Sequence, residues 1–302
     1  MRTFSKNYTT ILANAKQVVP GFAQAYALFL ERVTIDQASP SLINNYSRSI
    51  SHVALHFGRV PHEISIEEIN GYLYRMTTHE KLSISYFKQA VFGLRHWFRI
   101  FDMEEKAIQM PSIKKEETLP TVLSQQECRE LFKAPPQLKH RFLLAFAYAG
   151  GLRMNELRLL KIADVDIQRK QIHVRLGKGK KSRYVILADL IADRLPFYLT
   201  QVKPETYLFE GLTPGQPMGQ RSIQYIINEA LRRTDIQKPA SMHTLRHSFA
   251  THLLEDGVNI QTIQKLLGHS DMRTTMVYLH VAQIKPSLGH SPLDTLYAKG
   301  PK

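Results

Sequence analysis

Cysteine is almost missing from this chain of 302 residues: Cys128 stands alone, which excludes an internal disulfide and points to a reducing, cytoplasmic compartment. Long apolar runs are missing too. None reaches the roughly 18 residues that a membrane-spanning helix requires, and the first residues show neither the apolar stretch nor the small-residue cleavage site of a secretory signal. The chain has no internal repeat and no low-complexity tract. Acidic side chains are scarce beside basic ones, 26 Asp and Glu against 40 Lys and Arg, leaving a formal charge of +14. The excess is uneven: residues 1–120 carry 14 basic and 11 acidic side chains, residues 121–302 carry 26 and 15. Such a balance implies a polyanionic partner, nucleic acid before all others. An anionic membrane fits less well, because no basic amphipathic helix stands apart from the rest.

At this length there is room for two domains of ordinary size, and 43% hydrophobic with 22% charged residues suits globular cores. In the first part, SLINNYSRSISHVALHFG spaces Ile43, Tyr46, Ile50, Val53 and Phe57 by threes and fours, with Gly58 as a stop. Its other face presents Asn45, Arg48, His52 and His56. Ser65 and Glu68 form a capping box for a second helix. A third, SISYFKQAVFGLRHWFRIF, turns Phe87, Ala90, Val91, Leu94, Phe98 and Phe101 inward and Lys88, Arg95 and Arg99 outward. Residues 1–109 therefore read as a helical bundle that lays Arg48, His52, Lys88, Arg95 and Arg99 on a DNA backbone or groove. MPSIKKEETLPTV, residues 110–122, has prolines, mixed charge and no periodicity, and reads as a linker. A fresh capping box, Ser124 to Glu127, opens a second domain, residues 123–285, that is mainly helical. Its interruption is a hairpin, QIHVRLG and SRYVIL flanking GKGKK, so the fold class is mainly α with a small β element, an α+β chain.

The second domain holds the residues with chemistry. TLRHSFATHLLEDG reads as an amphipathic helix with Leu245, Phe249, Leu253 and Leu254 inward and Gly257 closing it. His243 and Arg246 fall in its first turn, where free backbone donors and the dipole already favour an anion. Asn259 caps the next helix, Gly268 ends it, His269 follows, and Tyr278 lies on another short helix begun at Ser270. A zinc reading of His243 and His247 is unattractive: HTLRH has no glutamate base, and Arg246 repels a cation. His252, one heptad from Leu245, reads as a packed histidine. Arg153 follows a glycine pair that lets backbone approach a ligand, and Glu156 one turn on can orient it. Lys178, Lys180, Lys181 and Arg183 crowd the hairpin tip, where they can contact DNA, and a lysine among cations can also donate a proton. GKGKKS lacks the glycine of a phosphate-binding P-loop, and Asp164 and Asp166 read as a turn or cap, so neither a metal nor a cofactor is expected.

GLRMNEL, LGKGKKSRYVIL, HTLRHSFATHLL and LLGHSDMRTTMVYLH, in this order, resemble the signature of the tyrosine recombinases, the phage integrase family. The resemblance is strong over residues 120–285, and the helical part before it is similar in type to the family's core-binding domain. It implies that Arg153 is the first catalytic arginine, Lys178 the hairpin lysine, His243 and Arg246 the HxxR pair, His269 the second histidine and Tyr278 the nucleophile. Motif position alone selects Lys178 over Lys180 and Lys181. Asn155 departs from the usual serine of GLRxSEL without removing a catalytic group. The implied activity is site-specific cutting and rejoining of double-stranded DNA through a 3′ phosphotyrosine and a Holliday junction, by a homotetramer on two DNA sites. No metal and no cofactor takes part in that scheme. Residues 286–302, with a short helix from Ser291 to Tyr297, are expected to dock on a neighbouring subunit. A type IB topoisomerase-like enzyme, or a DNA-binding protein that has lost catalysis on the same fold, are the alternatives that the residues leave open.

Overall fold

The computed structural model describes residues 8–78, 84–106, 108, 119–175 and 182–282. The loop lysines 178, 180 and 181, most of the expected linker and the tail 286–302 lie outside the described residues. Two compact units divide the chain, Met1–Glu116 and Glu117–Lys302.

In the first unit the described residues form α1 (Tyr8–Val18), α2 (Phe22–Ile35), α3 (Pro40–Phe57), α4 (Ile66–Thr78) and α5 (Ile84–Ile100). Ser39 caps α3 by accepting from the Leu42 N–H at 3.3 Å, and Pro40 sits where a missing N–H costs nothing. The Ser65 and Glu68 box forms in both directions, at 3.0 and 3.2 Å. On α5, Phe87, Ala90, Val91, Leu94 and Phe98 are buried as their spacing predicts, while Phe101 falls just beyond the helix. Trp97, outside that stripe, is also fully buried. It stacks on Phe22 with ring centroids 5.9 Å apart, and its Nε1 donates to His62 Nδ1 at 3.3 Å. Each such ring contributes roughly 2–3 kcal/mol by leaving water.

The second unit runs α6 (Gln125–Lys133), α7 (Leu138–Ala149), α8 (Met154–Arg158), β1 (Val165–Asp166), β2 (Gln171–Val174), β3 (Arg183–Ile186), α9 (Asp189–Val202), α10 (Gln220–Arg232), α11 (Met242–Glu255), α12 (Ile260–Leu267) and α13 (Arg273–Met276). A 3₁₀ turn, Val277–His280, continues α13. The strands make one antiparallel sheet in the order β1, β2, β3, with Ile172 opposite Val185 and Val174 opposite Arg183. Ile172, Val174 and Val185 face the core; His173 and Tyr184 stack at 4.8 Å outside it. β1 is an addition to the expected hairpin, since two residues carry no periodicity to read. Asp164 and Asp166 act as turn acceptors, from Lys161 N–H at 3.0 Å and Arg169 N–H at 2.8 Å, and Asp164 also pairs with Arg175.

The α11 helix differs from the amphipathic element its sequence suggests. Thr244, Arg246, Ser248, Thr251 and His252 are buried along with Leu245, Phe249 and Ala250, whereas Leu253 and Leu254 are only half-buried. The cause is its central position, packed on α7, α12 and the 3₁₀ turn together. Most polar groups inside are paired, as burial demands, the Thr251 hydroxyl being the exception. Ser248 Oγ accepts from Leu123 N–H at 2.9 Å and donates to the Thr244 carbonyl, and His252 Nδ1 lies 2.8 Å from the Tyr148 hydroxyl. Among the described residues no helix is long and apolar enough to cross a membrane.

Gly151 fixes how α7 meets α11. Its φ is +54°, and a Cβ there would lie 2.4 Å from Phe249 Cδ1, an overlap that the rigid ring cannot relieve by bending. Left-handed strain and overpacking together predict that Gly151→Ala lowers stability by about 2–4 kcal/mol. Urea unfolding followed by circular dichroism measures it, and an unchanged midpoint contradicts this packing.

Candidate active site

Local sequence dictates where three arginines point. The Gly150–Gly151 turn after α7 leads to Arg153, the residue just before α8, where Glu156 closes back on it by accepting from the Arg153 N–H at 2.9 Å. Arg183 opens β3, and Arg246 lies in the first turns of α11. All three converge on one carboxylate. Arg153 Nη1 donates to Glu156 Oε1 at 2.8 Å, and Arg183 grips both Glu156 oxygens at 2.8 Å each. Arg246 Nη1 stands 3.9 Å from Glu156 Oε2. The second anchor is the end of α12, whose last carbonyls have no partner within the helix. Arg183 Nε donates to Leu266 O at 2.8 Å, Arg246 Nη2 to Leu267 O at 2.6 Å and Arg153 Nη2 to Gly268 O at 3.2 Å. Gly151 O takes the other Arg246 nitrogen at 2.7 Å. Gly268, at φ +63°, leaves room for Arg183, whose Cδ would lie 2.9 Å from a Cβ at that position.

One carboxylate against three guanidiniums leaves an excess of two positive charges, so the cluster attracts an anion. The side chains are 4% exposed at Glu156 and Arg246, 11% at Arg183 and 21% at Arg153, so these charges act where water screens little. Burial alone would raise the Glu156 pKa; the bonds and charge of Arg183, then the bonds from Arg153, bring it down to about 2. Burial, then the Arg153 charge, lowers Arg246 to about 10, which leaves it charged at neutral pH.

Around this cradle stand the histidines and the tyrosine. His269 follows Gly268 directly, and burial with the charges of Arg246, Arg153 and Arg183 pulls its pKa down to about 4, so the ring is neutral at pH 7. Its Nδ1 is 2.9 Å from Thr275 Oγ1. Tyr278 is 1% exposed, packed with Phe249, Ala250, Ile263 and Leu267. Of the short segment that carries it, only Thr275 and Tyr278 are buried, while Arg273, Thr274, Met276, Leu279 and His280 are exposed. Burial raises the Tyr278 pKa, and the charges of Arg246 and Arg153 oppose that rise.

Of the sequence-derived site residues, Arg153, Glu156, Arg246, His269 and Tyr278 come together here. His243 is exposed at the start of α11. The imidazole beside the Tyr278 hydroxyl is instead His247, with Nδ1 at 3.0 Å, a contact the sequence reading missed. Its pKa is lowered by burial and then by His243 and Arg246, so the ring is neutral and able to accept a proton. Arg183, expected at the DNA-facing hairpin tip, is turned inward because Glu156 and the Leu266 carbonyl take its donors. In the first unit, Arg48 lies over the Tyr86 ring, 5.7 Å from its centroid, and His52 meets the same ring edge-on. Lys88 is half-buried. Arg95 is committed to the Ile108 carbonyl, its Nε at 2.8 Å, and Arg99 pairs with Asp36 at 3.3 Å, so neither is the free surface cation that helical spacing suggested.

A cationic cradle with a phenol hydroxyl in its field, carried on a mainly helical unit with a small antiparallel sheet, accords with the tyrosine recombinases, enzymes that transfer DNA strands, and the chain is one of them. More particularly, it belongs to the phage integrase family, whose profile matches residues 121–284. A putative integrase/recombinase of Sinorhizobium fredii, y4qK, is 35% identical over 259 residues, 85% of this chain and 84% of that protein. Tyrosine recombinase XerC of Pelotomaculum thermopropionicum is 30% identical over 273 residues, 81% and 89% of the two chains. Among solved structures, XerA recombinase aligns with a TM-score of 0.52 at 26% identity, covering 92% of this chain and 99% of its own. XerH bound to its difH substrate shares the fold with a TM-score of 0.62 at 20% identity, over 96% and 92%.

Glu156 gives the cluster a pH signature. Its carboxyl is ionised in the folded chain down to about pH 2 but in the unfolded chain only above its ordinary 4.5, so its contribution is complete above pH 5 and is lost as pH falls from 4.5 toward 2. At about 1.4 kcal/mol per decade of pKa, the loss is about 3 kcal/mol. Glu156→Gln should abolish that part of the acid dependence while lowering stability at pH 7; urea unfolding between pH 3 and 7 measures both, and parallel curves for the two proteins exclude it.

Proposed function

We propose that the enzyme recombines specific double-stranded DNA sites by forming and resolving a 3′ phosphotyrosine linkage. The observation that carries this reading is the convergence of Arg153, Arg246 and neutral His269 on the field in which the Tyr278 hydroxyl sits. A phosphodiester gains negative charge as it is attacked, and preorganised donors of this kind contribute about 3–4 kcal/mol each. Tyr278 Oη forms a bond to phosphorus, and the bond from phosphorus to the 5′ oxygen breaks. Lys178 supplies the proton that turns the departing oxygen into a 5′ hydroxyl. The phenol proton passes to a neutral imidazole: His247 holds the hydroxyl in this structure, and His243, the residue implied by resemblance, stands one turn earlier on α11. The reverse reaction, with a 5′ hydroxyl from another strand, rejoins DNA without ATP because the phosphotyrosine conserves the bond.

Two rounds of exchange on paired sites pass through a Holliday junction and call for four protomers, with residues 286–302 as the segment that docks between them. The +14 charge supports a DNA backbone as the binding surface, with Arg48, His52 and Lys88 of the first unit and Lys180 and Lys181 of the loop as contacts. XerH and the Tn1549 transposon integrase were both solved with DNA.

A DNA site nicked beside the scissile phosphate, which traps the covalent intermediate by loss of the short 5′ fragment, tests the reading. Wild type should yield an adduct stable to denaturant and unaffected by chelator. Tyr278→Phe should yield none, and Arg153→Ala or Arg246→Ala about 10²–10³-fold less. An adduct formed by the Phe variant overturns the assignment of the nucleophile.

A further inference from the structure

We infer that Thr275 is a positioning residue that fixes the tautomer of His269, so that Nε2 carries the ring proton and donates it to the scissile phosphate. The inference rests on the phosphate-clamp reading above and adds to it a residue that the sequence motifs leave unassigned.

His269 is neutral at working pH, because burial and the Arg246, Arg153 and Arg183 charges disfavour a further cation there. A neutral imidazole has one N–H only. If that proton sits on Nδ1, the opposite nitrogen is an acceptor, and an acceptor turned toward a phosphate oxygen repels it. The tautomer therefore decides whether His269 helps or hinders. Thr275 Oγ1 lies 2.9 Å from Nδ1, and Thr275 is fully buried. Among the described residues, no second hydrogen bond involves this hydroxyl. Were Nδ1 the donor, the buried hydroxyl proton would face no acceptor, which costs more than the bond returns. With the hydroxyl donating to Nδ1, both groups are satisfied and the ring proton is on Nε2. The backbone holds both partners in place. His269 N–H donates to Gln264 O at 3.2 Å, its carbonyl accepts from Gln264 Nε2 at 3.1 Å, and the Thr275 N–H donates to Met272 O at 2.8 Å. Arg183 Nε and Arg153 Nη2 donate to the Leu266 and Gly268 carbonyls, which fixes the backbone that leads into His269.

Thr275 also stands three residues before Tyr278, on the same short helical segment. The nucleophile's own segment thus sets the hydrogen-bonding state of a group that stabilises the transition state.

Thr275→Val keeps the shape and removes the hydroxyl. With the nicked DNA site we expect it to lower the rate of adduct formation about 10–100-fold, as loss of an orienting partner does, while Thr275→Ser stays within about threefold of wild type. In a His269→Ala background, Thr275→Val should cost nothing further, since the two act through one group. Long-range ¹H–¹⁵N spectra of the full chain with labelled histidine read the tautomer directly, without DNA: Nε2–H in wild type and Thr275→Ser, a mixture or Nδ1–H in Thr275→Val. An Nε2–H spectrum together with wild-type rates in Thr275→Val overturns the inference, as does failure of serine to restore activity. If wild type forms no adduct at all, the phosphotyrosine reading fails instead, and the spectra still judge Thr275 by themselves.

Discussion

Glu156 is the counter-ion on which the active site is built. Three guanidinium groups within reach of one another repel strongly in a medium that screens poorly, and each would otherwise turn toward water. A single carboxylate, buried and ionised, lets Arg153, Arg183 and Arg246 share a small volume while leaving net positive charge for a ligand. Removing one member of such a buried set leaves uncompensated charge and commonly costs about 3–5 kcal/mol. The backbone completes the arrangement, because carbonyls at the negative end of α12 accept from all three arginines. Donors fixed in this way need no reorganisation when charge develops on a ligand.

Much of the architecture was legible in the sequence because it follows from contacts only a few residues long. The boxes at Ser65–Glu68 and Ser124–Glu127, the stop at Gly58 and the strands around residues 171–187 are all local chemistry. The site was legible in part for the same reason: Arg153 with Glu156, and Gly268 with His269, are neighbours in sequence. What escaped reading depends on partners far along the chain. Arg183 looks like one more cation on a basic hairpin until Glu156, 27 residues away, claims it. His247 meets Tyr278 across 31 residues, and the polar residues of α11 seem to mark a solvent face until its central position is known. Helical periodicity assumes one buried side, an assumption that fails for a helix surrounded by others. In the first unit Arg95 shows the same lesson, its apparent surface stripe broken by a carbonyl at Ile108.

Tyr278 joins two demands that pull apart. In the proposed role of nucleophile it must reach a phosphate on DNA, yet here it is a packed core ring with its hydroxyl held by His247. Its burial favours the protonated phenol, and the arginines that would bind the phosphate are the same charges that counter this effect. Reactivity is therefore tied to the cationic cradle by field as well as by contact.

The use of α12 as an anchor has a consequence for how the protein tolerates change. Because α12 holds the arginines through its backbone carbonyls and not its side chains, substitutions at Leu266 need only keep the packing and the helix. A change in length is another matter. Inserting or deleting one residue in α12 rotates everything beyond it by about 100° and shifts it by about 1.5 Å, which would turn all three acceptors away from their arginines at once. The reading frame of one eight-residue helix, more than its composition, sets the geometry of the cradle.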